Sequence, residues 1–417
     1  MPSASSAKPN TSGQPSFTPA LILLGLAIVI NYVDRGNLSI AAPMVQSELR
    51  LSATQLGFLF SAFFYTYMAL QFVVGGVVDR FGANRVLTAG FLVWSLATVA
   101  TSFAGGFVVF LAFRLLLGIG ESVAFPCTSK LIAQHVPPEG RGLANGVITA
   151  GLKFGPAVGA FGAGLLIAEH GWRSVFFWMG LASLLWVPAW FCWMPAAPAP
   201  PAIGAPALIG YMAIFKQRYF WGCSAGHFCF NYLSYFLLTW LPSYLAQERH
   251  LSQRSLSRAA AAYYLVDAAS ALFTGWLCDR LIIRGVRASL VRKGASVIGS
   301  GIAAVALLAC PFATAGTYYP WLLLAGVGSG AAGCGVFLFA QALAGPRAVG
   351  QWSALQNGFG NFAGLIAPAL TGFLVDRTGH FFSAFALTAF ICVVGALIWI
   401  FGVRLAPIRW EHDESVA

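Results

Sequence analysis

The sequence predicts an all-α polytopic membrane protein, and two observations support this fold class: a low content of charge and a series of long apolar stretches. Of the 417 residues, 58% are hydrophobic and only 9% are charged, whereas a soluble domain carries about a quarter charged residues. Segments without Asp, Glu, Lys or Arg lie at 51–78, 86–113, 174–215, 219–247, 294–346 and 348–375. Each is long enough for one span or two. Because a backbone in lipid must satisfy its own hydrogen bonds, these runs are predicted to be helices and not barrel strands.

Hydropathy divides the chain into twelve predicted transmembrane helices. They lie near 17–46, 53–78, 84–104, 107–132, 142–168, 173–194, 219–246, 256–278, 292–313, 317–342, 349–375 and 380–404. An Ala- and Pro-rich stretch over 195–217 is predicted to link two six-helix bundles, one over 17–194 and one over 218–405. The tails, 1–16 and 406–417, are predicted to be cytoplasmic.

The distribution of Lys and Arg sets this orientation. With both termini inside, most of the 24 Lys and Arg residues lie in cytoplasmic segments. The net charge of +11 is therefore mainly a topology signal. No soluble domain collects that charge on one face, so we expect no nucleic-acid partner. The expected location is the cell (inner) membrane, with the lipid bilayer as the surroundings of a monomer.

A short motif recurs in the two halves. It comprises Gly75, Asp79, Arg80, Gly82 and Arg85 after span two, and Asp279 and Arg280 at the end of span eight, 200 residues later. The first copy resembles the cytoplasmic loop motif of the major facilitator superfamily. This resemblance covers essentially the whole chain and implies two bundles related by pseudo-two-fold symmetry, with a substrate site between them at mid-membrane. It also implies a close helix contact at Gly75 and pairing of Asp79 with basic residues in the closed state.

Three further stretches carry a narrower resemblance. They are residues 31–43 of span one (Asn31-Tyr-Val-Asp-Arg-Gly-Asn), 114–121 of span four and 226–245 of span seven. These stretches are similar to the anion:cation symporter family, whose members include permeases for galactonate, hexuronates and glucarate. The resemblance implies protonation at Asp34 and Glu121 and binding of a substrate carboxylate by Arg35.

Six ionisable residues are predicted to lie within the membrane, where charge is costly and therefore usually functional. They are Asp34, Arg35, Arg114, Glu121, Lys153 and Asp267. Asp34 and Arg35 are adjacent, so their side chains diverge by about 100° on a helix. We expect Asp34, Glu121 and Arg114 to meet where spans one and four touch. Gly118 would permit that approach, and Arg35 would face the central cavity.

Lys153 and Asp267 leave alternatives open. Lys153 is either a second cation for a dicarboxylate or aromatic acid, or the partner of an internal acid such as Glu121. Asp267 is either an extra proton site or the group that neutralises Lys153 across the two halves. The pairing is the preferred interpretation for Asp267.

Neutral polar side chains are predicted to line the central cavity and to bind the hydroxyls of a polyol acid. They are Tyr32, Tyr67 and Gln71 from the first half, and His227, Asn231, Tyr235, Gln356, Asn357 and Asn361 from the second. His227, Asn231 and Tyr235 recur every four residues and therefore share one helix face. The alternative is that such groups only join neighbouring helices.

The preferred functional hypothesis is a secondary active transporter that imports an organic anion by proton symport. The expected substrate is a sugar acid such as an aldonate, uronate or aldarate. Alternatives are a transporter or exporter of another carboxylate, such as an aromatic acid or dicarboxylate, and a membrane sensor that does not transport. We expect no enzymatic activity, metal or other cofactor. The nucleophile-elbow match at 222–226 and the dinucleotide-motif match at 328–333 both lie inside apolar helices.

Overall fold

The computed structural model describes residues 17–137, 140–194, 210–314, 316–333, 335–404, 408 and 410. The first half contains α1 (Thr18–Glu48), α2 (Ala53–Phe81), α3 (Ala83–Thr101), α4 (Phe107–Glu121), α5 (Ala124–His135), α6 (Arg141–His170), α7 (Trp172–Leu184) and α8 (Trp186–Trp193). The second half contains α9 (Tyr211–Phe215), α10 (Arg218–Gln247), α11 (Gln253–Ile283), α12 (Ala288–Ala309), α13 (Tyr318–Gly333), α14 (Val336–Thr378) and α15 (Phe382–Leu397). The described residues contain no strand, so the predicted all-α class is confirmed.

Nine helical stretches in the described ranges are long and apolar enough to cross a membrane. The helices α10, α11 and α13 coincide with the remaining predicted spans, seven, eight and ten. Span four is divided into α4 and α5, and span six into α7 and α8. The long α14 has non-helical backbone at Gly345 (φ 67°, ψ 177°), which separates the end of span ten from span eleven.

Two stretches outside the predicted bundles pack on the second half. The part of the predicted linker that the structure describes contains the short helix α9. Ile214 of this helix is fully buried and packs against the second half. In the C-terminal tail, Trp410 is also buried and donates a hydrogen bond from its indole Nε1 to the carbonyl of Ala344, at 3.0 Å. Residues 1–16, 195–209 and most of 406–417 lie outside the described ranges.

Backbone geometry supports the internal repeat at a spacing of 200 residues. Arg50 and His250, each just before the second long helix of its half, both have φ of 52°. Each is followed by a serine that caps that helix: the hydroxyl of Ser52 accepts from the backbone N–H of Gln55, and that of Ser252 from Ser255. Two equal caps after two left-handed residues show that the chain makes the same turn twice.

The two halves meet tightly at one end of the bundle. We call it the closed end; it comprises residues 46–57, 164–173, 245–257 and 368–381. Contacts at or near it join Gln46 to Gln247, Ser39 to Thr239, Ile40 to Gln253, Ser61 to Leu365, and Ala53 and Thr54 to Asp376. Backbones approach closely there: a Cβ added at Gly57 would lie 2.5 Å from the carbonyl oxygen of Pro368, and one at Gly372 would lie 2.2 Å from that of Ala53.

Candidate functional site

A buried ion pair between α1 and α4 forms the centre of the site. The Nε of Arg35 donates to the Oε2 of Glu121 at 2.8 Å, and the two side chains are 4% and 0% exposed. The expected neighbours Asp34 and Arg114 also interact electrostatically with Glu121, and Arg35 joins this group through the ion pair. A carboxylate with no access to water needs a hydrogen-bonded cation, and the guanidinium of Arg35 supplies one.

Three aromatic rings surround the guanidinium of Arg35. Its central carbon lies 4.8 Å from the ring centroid of Tyr32, 4.7 Å from that of Phe63 and 4.9 Å from that of Tyr67. Rings at this distance stabilise a desolvated cation through their quadrupoles. Phe63 was not expected from the sequence, since a phenylalanine in an apolar helix carries no signal of its own.

The ion pair is only partly satisfied. Among the described residues, the Nη2 of Arg35 is buried without a hydrogen-bond partner, and Glu121 has the Asn31 side chain as a second neighbour besides Arg35. Unpaired polar atoms at this depth are costly, and they leave capacity for a further ligand. Arg35 therefore has one nitrogen committed to Glu121 and another ready for a second acceptor.

Asp34 lies beside this pair on α1 and is 2% exposed. Its Oδ1 accepts from the amide of Asn37 at 3.1 Å, while Oδ2 has no partner among the described residues. Asp34 is repelled by Glu121 and attracted by Arg114, and it forms no salt bridge with Arg114 in the described structure. Asn37 is a further residue of the site to which the sequence analysis gave no role.

Arg114 joins α4 to α2. Its Nε donates to the carbonyl oxygen of Leu59 at 3.1 Å, and its guanidinium carbon lies 5.6 Å from the ring centroid of Phe63. A Cβ at Gly118 would lie 2.3 Å from the backbone oxygen of Phe63. Gly118 therefore permits the close approach of α2 to α4, and the prediction that α1 makes this contact was wrong.

Lys153 and Asp267 pair across the two halves. The Nζ of Lys153 lies 3.1 Å from the Oδ2 of Asp267, and the side chains are 19% and 14% exposed. This is the pairing that the sequence analysis preferred for Asp267. Glu121, the other partner considered for Lys153, is paired with Arg35. The pair joins α6 to α11 and thereby the first half to the second.

Tyr235 brings the second half to the site. Its ring meets that of Phe64 edge-on at 4.5 Å, and its hydroxyl donates to the Oδ1 of Asn361 at 2.5 Å. The amide of Asn361 in turn donates to the carbonyl oxygen of Asn357 at 2.8 Å. Tyr235 also interacts electrostatically with Arg35, so the two halves share the region around that guanidinium.

The remaining predicted cavity residues are tied to neighbouring helices. The amide of Gln71 donates to the carbonyl of Ser122 at 3.2 Å. His227 and Asn231 are 3% and 8% exposed, and the His227 ring lies against Gly360 of α14. Gln356 is fully buried and bonded within its own half. The shared face of α10 therefore packs on α14, and Tyr235 is the member of it that reaches the first half.

The loop motif lies away from the tight interface. Gly82 has φ of +86° and forms the turn between α2 and α3, while a Cβ at Gly75 would meet nothing within 4 Å. The expected close contact at Gly75 is therefore not made in this conformation. Arg80, Arg85, Asp279 and Arg280 are exposed. The side chain of Asp79 lies outside the described part of the chain.

The described residues contain no cluster of three or more His, Cys, Asp or Glu side chains arranged to hold a metal ion. The cysteines that the structure describes are free, and all but Cys192 are buried. Nothing in this part of the chain resembles a metal or redox centre. The ionisable groups between the helices at mid-chain depth are instead the pairs Arg35–Glu121 and Lys153–Asp267, together with Asp34 and Arg114.

The family model for the Major Facilitator Superfamily matches residues 24–368 and 259–415. The chain belongs to the major facilitator superfamily. It is 32% identical to a hexuronate transporter of Bacillus subtilis over 407 residues, covering 93% of this chain and 94% of the relative. It is 30% identical to a probable L-galactonate transporter of Escherichia coli over 409 residues, covering 93% of this chain and 89% of that relative.

A solved structure of the same superfamily fold supports this placement. A bacterial homologue of the human lysosomal transporter Spinster, in an inward-facing and occupied conformation, superposes with a TM-score of 0.78. It is 19% identical, and the match covers 95% of this chain and 98% of that one. As a member of the major facilitator superfamily, the chain is a multi-pass membrane transporter and not an enzyme.

Proposed function

We propose that this transporter imports a sugar acid, such as an aldonate, uronate or aldarate, together with protons and as a monomer in the inner membrane. The relatives named for hexuronate and L-galactonate transport support the substrate class. The observation that carries the proposal is the half-satisfied pair of Arg35 and Glu121. It places an anion-binding group and a proton-binding group in direct contact.

Binding of the anion and of the proton would be linked through Arg35. A substrate carboxylate suits the planar guanidinium and would take the unpartnered Nη2 side. As it draws Arg35 away, Glu121 is left buried without its cation. An ionised carboxylate is costly there, so Glu121 takes up a proton. Asp34, which has no cation partner in the described structure, is the second proposed proton site.

The neutral polar groups would recognise the rest of the substrate. Tyr32 and Tyr67 lie against the guanidinium of Arg35, and Tyr235 approaches it from the other half. Hydroxyl and amide groups so placed can bind the hydroxyls of a sugar acid. Asn361 holds Tyr235 in position through its side-chain oxygen.

The packing of the two halves indicates which conformation of the transport cycle the structure represents. With both termini cytoplasmic, as the distribution of Lys and Arg predicts, the closed end faces outward. The structure is then an inward-facing state, sealed by the close backbone approaches at Gly57 and Gly372. Rocking of the halves would open this end and bring the loop motif around Gly75 and Asp79 into contact.

The test is uptake of labelled galactonate, glucuronate and glucarate into proteoliposomes under an inward proton gradient. An aromatic acid, benzoate, serves as the comparison for the alternative substrate class. We expect sugar-acid accumulation above the external concentration that falls to equilibrium when a protonophore collapses the gradient. Accumulation that survives the protonophore would contradict proton coupling, and uptake of benzoate alone would contradict the substrate class.

A further inference from the structure

A second side chain of α1, Asn31, reaches the carboxylate of Glu121. It precedes Arg35 by four residues, so the two lie on the same face of the helix, one turn apart. Asn31 is fully buried, and its amide forms a side-chain hydrogen bond with Glu121. Among the described residues, neither polar atom of this amide has another partner. Glu121 therefore faces a charged group and a neutral group from consecutive turns of α1.

An amide suits a carboxyl group that changes its charge. The amide nitrogen of Asn31 can donate to an ionised Glu121, and its Oδ1 can accept from a protonated one. A hydrogen bond to the ionised form is about twice as strong as one between two neutral groups. The amide of Asn31 therefore stabilises the ionised carboxylate more than the protonated acid.

The titratable and charged groups that interact with Glu121 come from α1 and α4, and one more lies on α2 beside Arg35. They are Asp34, Arg35 and Tyr32 of α1, Arg114 of α4 and Tyr67 of α2. Arg35 is the member that a bound anion would draw away, while Arg114 is bonded to the carbonyl oxygen of Leu59. Asn31 adds a neutral amide, for which an anion competes less strongly than for a cation.

We infer that Asn31 is a positioning residue that promotes release of the transported proton from Glu121. This inference rests on the proposed function. Once the substrate leaves and Arg35 returns, the carboxylate has two donors again, one from Arg35 and one from Asn31, and gives up its proton. Without Asn31 the ionised carboxylate would keep a single donor at a depth where charge is costly, so the proton would be retained to higher pH.

The experiment follows galactonate binding across a range of pH by isothermal titration calorimetry in detergent. Because binding is linked to proton uptake in the proposed function, affinity should fall as the pH rises. Asn31→Leu replaces the amide by an apolar group of similar size. We expect the midpoint of this fall to move upward by about one pH unit, because a hydrogen bond to a charged group contributes about that much.

A double variant tests whether Asn31 acts through Glu121. Glutamine at 121 has no proton to release, so Asn31→Leu should cause no further shift of the midpoint in a Glu121→Gln background. Thr98→Val is the control for loss of a buried polar group elsewhere. Thr98 is 3% exposed and bonds only within α3, to the carbonyl oxygen of Trp94 at 3.0 Å. We expect its midpoint to equal that of the wild-type protein.

Two results would overturn the inference: a midpoint that stays the same or moves downward in Asn31→Leu, or an equal upward shift in the Glu121→Gln background. If thermal unfolding shows that Asn31→Leu does not fold, Asn31→Ala removes the same amide with a smaller side chain and has the same two outcomes. Failure of the proposed proton coupling is seen separately, in the wild-type protein alone, as galactonate binding that does not change with pH.

Discussion

The Nε of Arg35 donates to the Oε2 of Glu121 across 2.8 Å, although the two residues lie on different helices and 86 positions apart. The contact makes the two functions of the proposed site interdependent. Whatever anion draws Arg35 away also deprives Glu121 of its charge partner. Coupling then requires no long-range signal, since both ligands bind to the two members of one ion pair.

Replacing Arg35 by Lys should weaken galactonate binding at least 30-fold, about 2 kcal/mol. Lysine keeps the charge but cannot form the planar, bidentate contact that a guanidinium makes with a carboxylate, nor stack between three rings. Binding is measured by isothermal titration calorimetry in detergent. The control is Arg258→Lys, which is exposed on α11. A dissociation constant within twofold of wild type would remove Arg35 from the anion site.

Glu121→Gln should separate exchange from accumulation. Glutamine can still accept a hydrogen bond from Arg35 but cannot carry a proton at neutral pH. We expect counterflow of labelled against unlabelled galactonate to continue, while accumulation driven by a proton gradient is lost. Both rates are measured in the same proteoliposomes and compared with those of the wild-type protein. Normal gradient-driven accumulation in Glu121→Gln would contradict its role.

Asp376→Ala should loosen the closed end. The carboxylate of Asp376 accepts from the backbone N–H groups of Ala53 at 2.9 Å and Thr54 at 2.7 Å, at the start of α2. A carboxylate at a helix N-terminus stabilises it by about 1 kcal/mol. We therefore expect a roughly fivefold shift of the population away from the closed-end state.

Cysteines introduced at Gln46 and Gln247, whose side chains are in contact at 2.9 Å, report this shift through a short dimaleimide. Crosslinking should slow in Asp376→Ala and remain normal in the neighbouring exposed variant Arg377→Ala. Single-cysteine proteins give the background from native cysteines. An equal rate in both variants would show that Asp376 does not hold the halves together.

Gly118→Ala should lower the stability of the protein by about 2 kcal/mol, since overpacking of a close helix contact costs energy of that order. Its Cβ would lie 2.3 Å from the Phe63 carbonyl oxygen, whereas one at Gly76 would meet nothing within 4 Å. Both changes gain the same helix propensity, so their difference isolates the clash between α2 and α4. Thermal unfolding in detergent provides the comparison. Equal midpoints for the two variants would mean that α2 and α4 can separate without cost.

The sequence was sufficient for the helical class, for nine long apolar helices and for the buried charges Asp34, Arg35, Arg114 and Glu121, because lipid imposes strict rules on apolar length and on charge. It also identified Lys153 and Asp267 as possible partners, since each was otherwise an unexplained charge in its own half. The internal repeat was visible in the loop motif and is extended by the equal backbone angles at Arg50 and His250.

The hydrogen-bond partners of Arg35 and its neighbours could not be predicted from the sequence. The order of residues along a helix gives the face of a side chain but not which neighbouring helix it meets. Gly118 was correctly seen as a point of close approach, yet the approaching helix is α2. Because α2 packs on α4, Arg114 donates a hydrogen bond to the carbonyl oxygen of Leu59, and Glu121 accepts one from Arg35. Phe63 acquires its place in the site only through this packing.

The central claim is that binding of the anion releases Glu121 to take up a proton, and the number of protons bound with the substrate tests it most directly. Titration of the purified protein with galactonate in two buffers of different ionisation enthalpy gives that number. We expect net proton uptake on binding to the wild-type protein and a clear reduction of it in Glu121→Gln. Galactonate binding to the wild-type protein with no proton uptake would contradict the account.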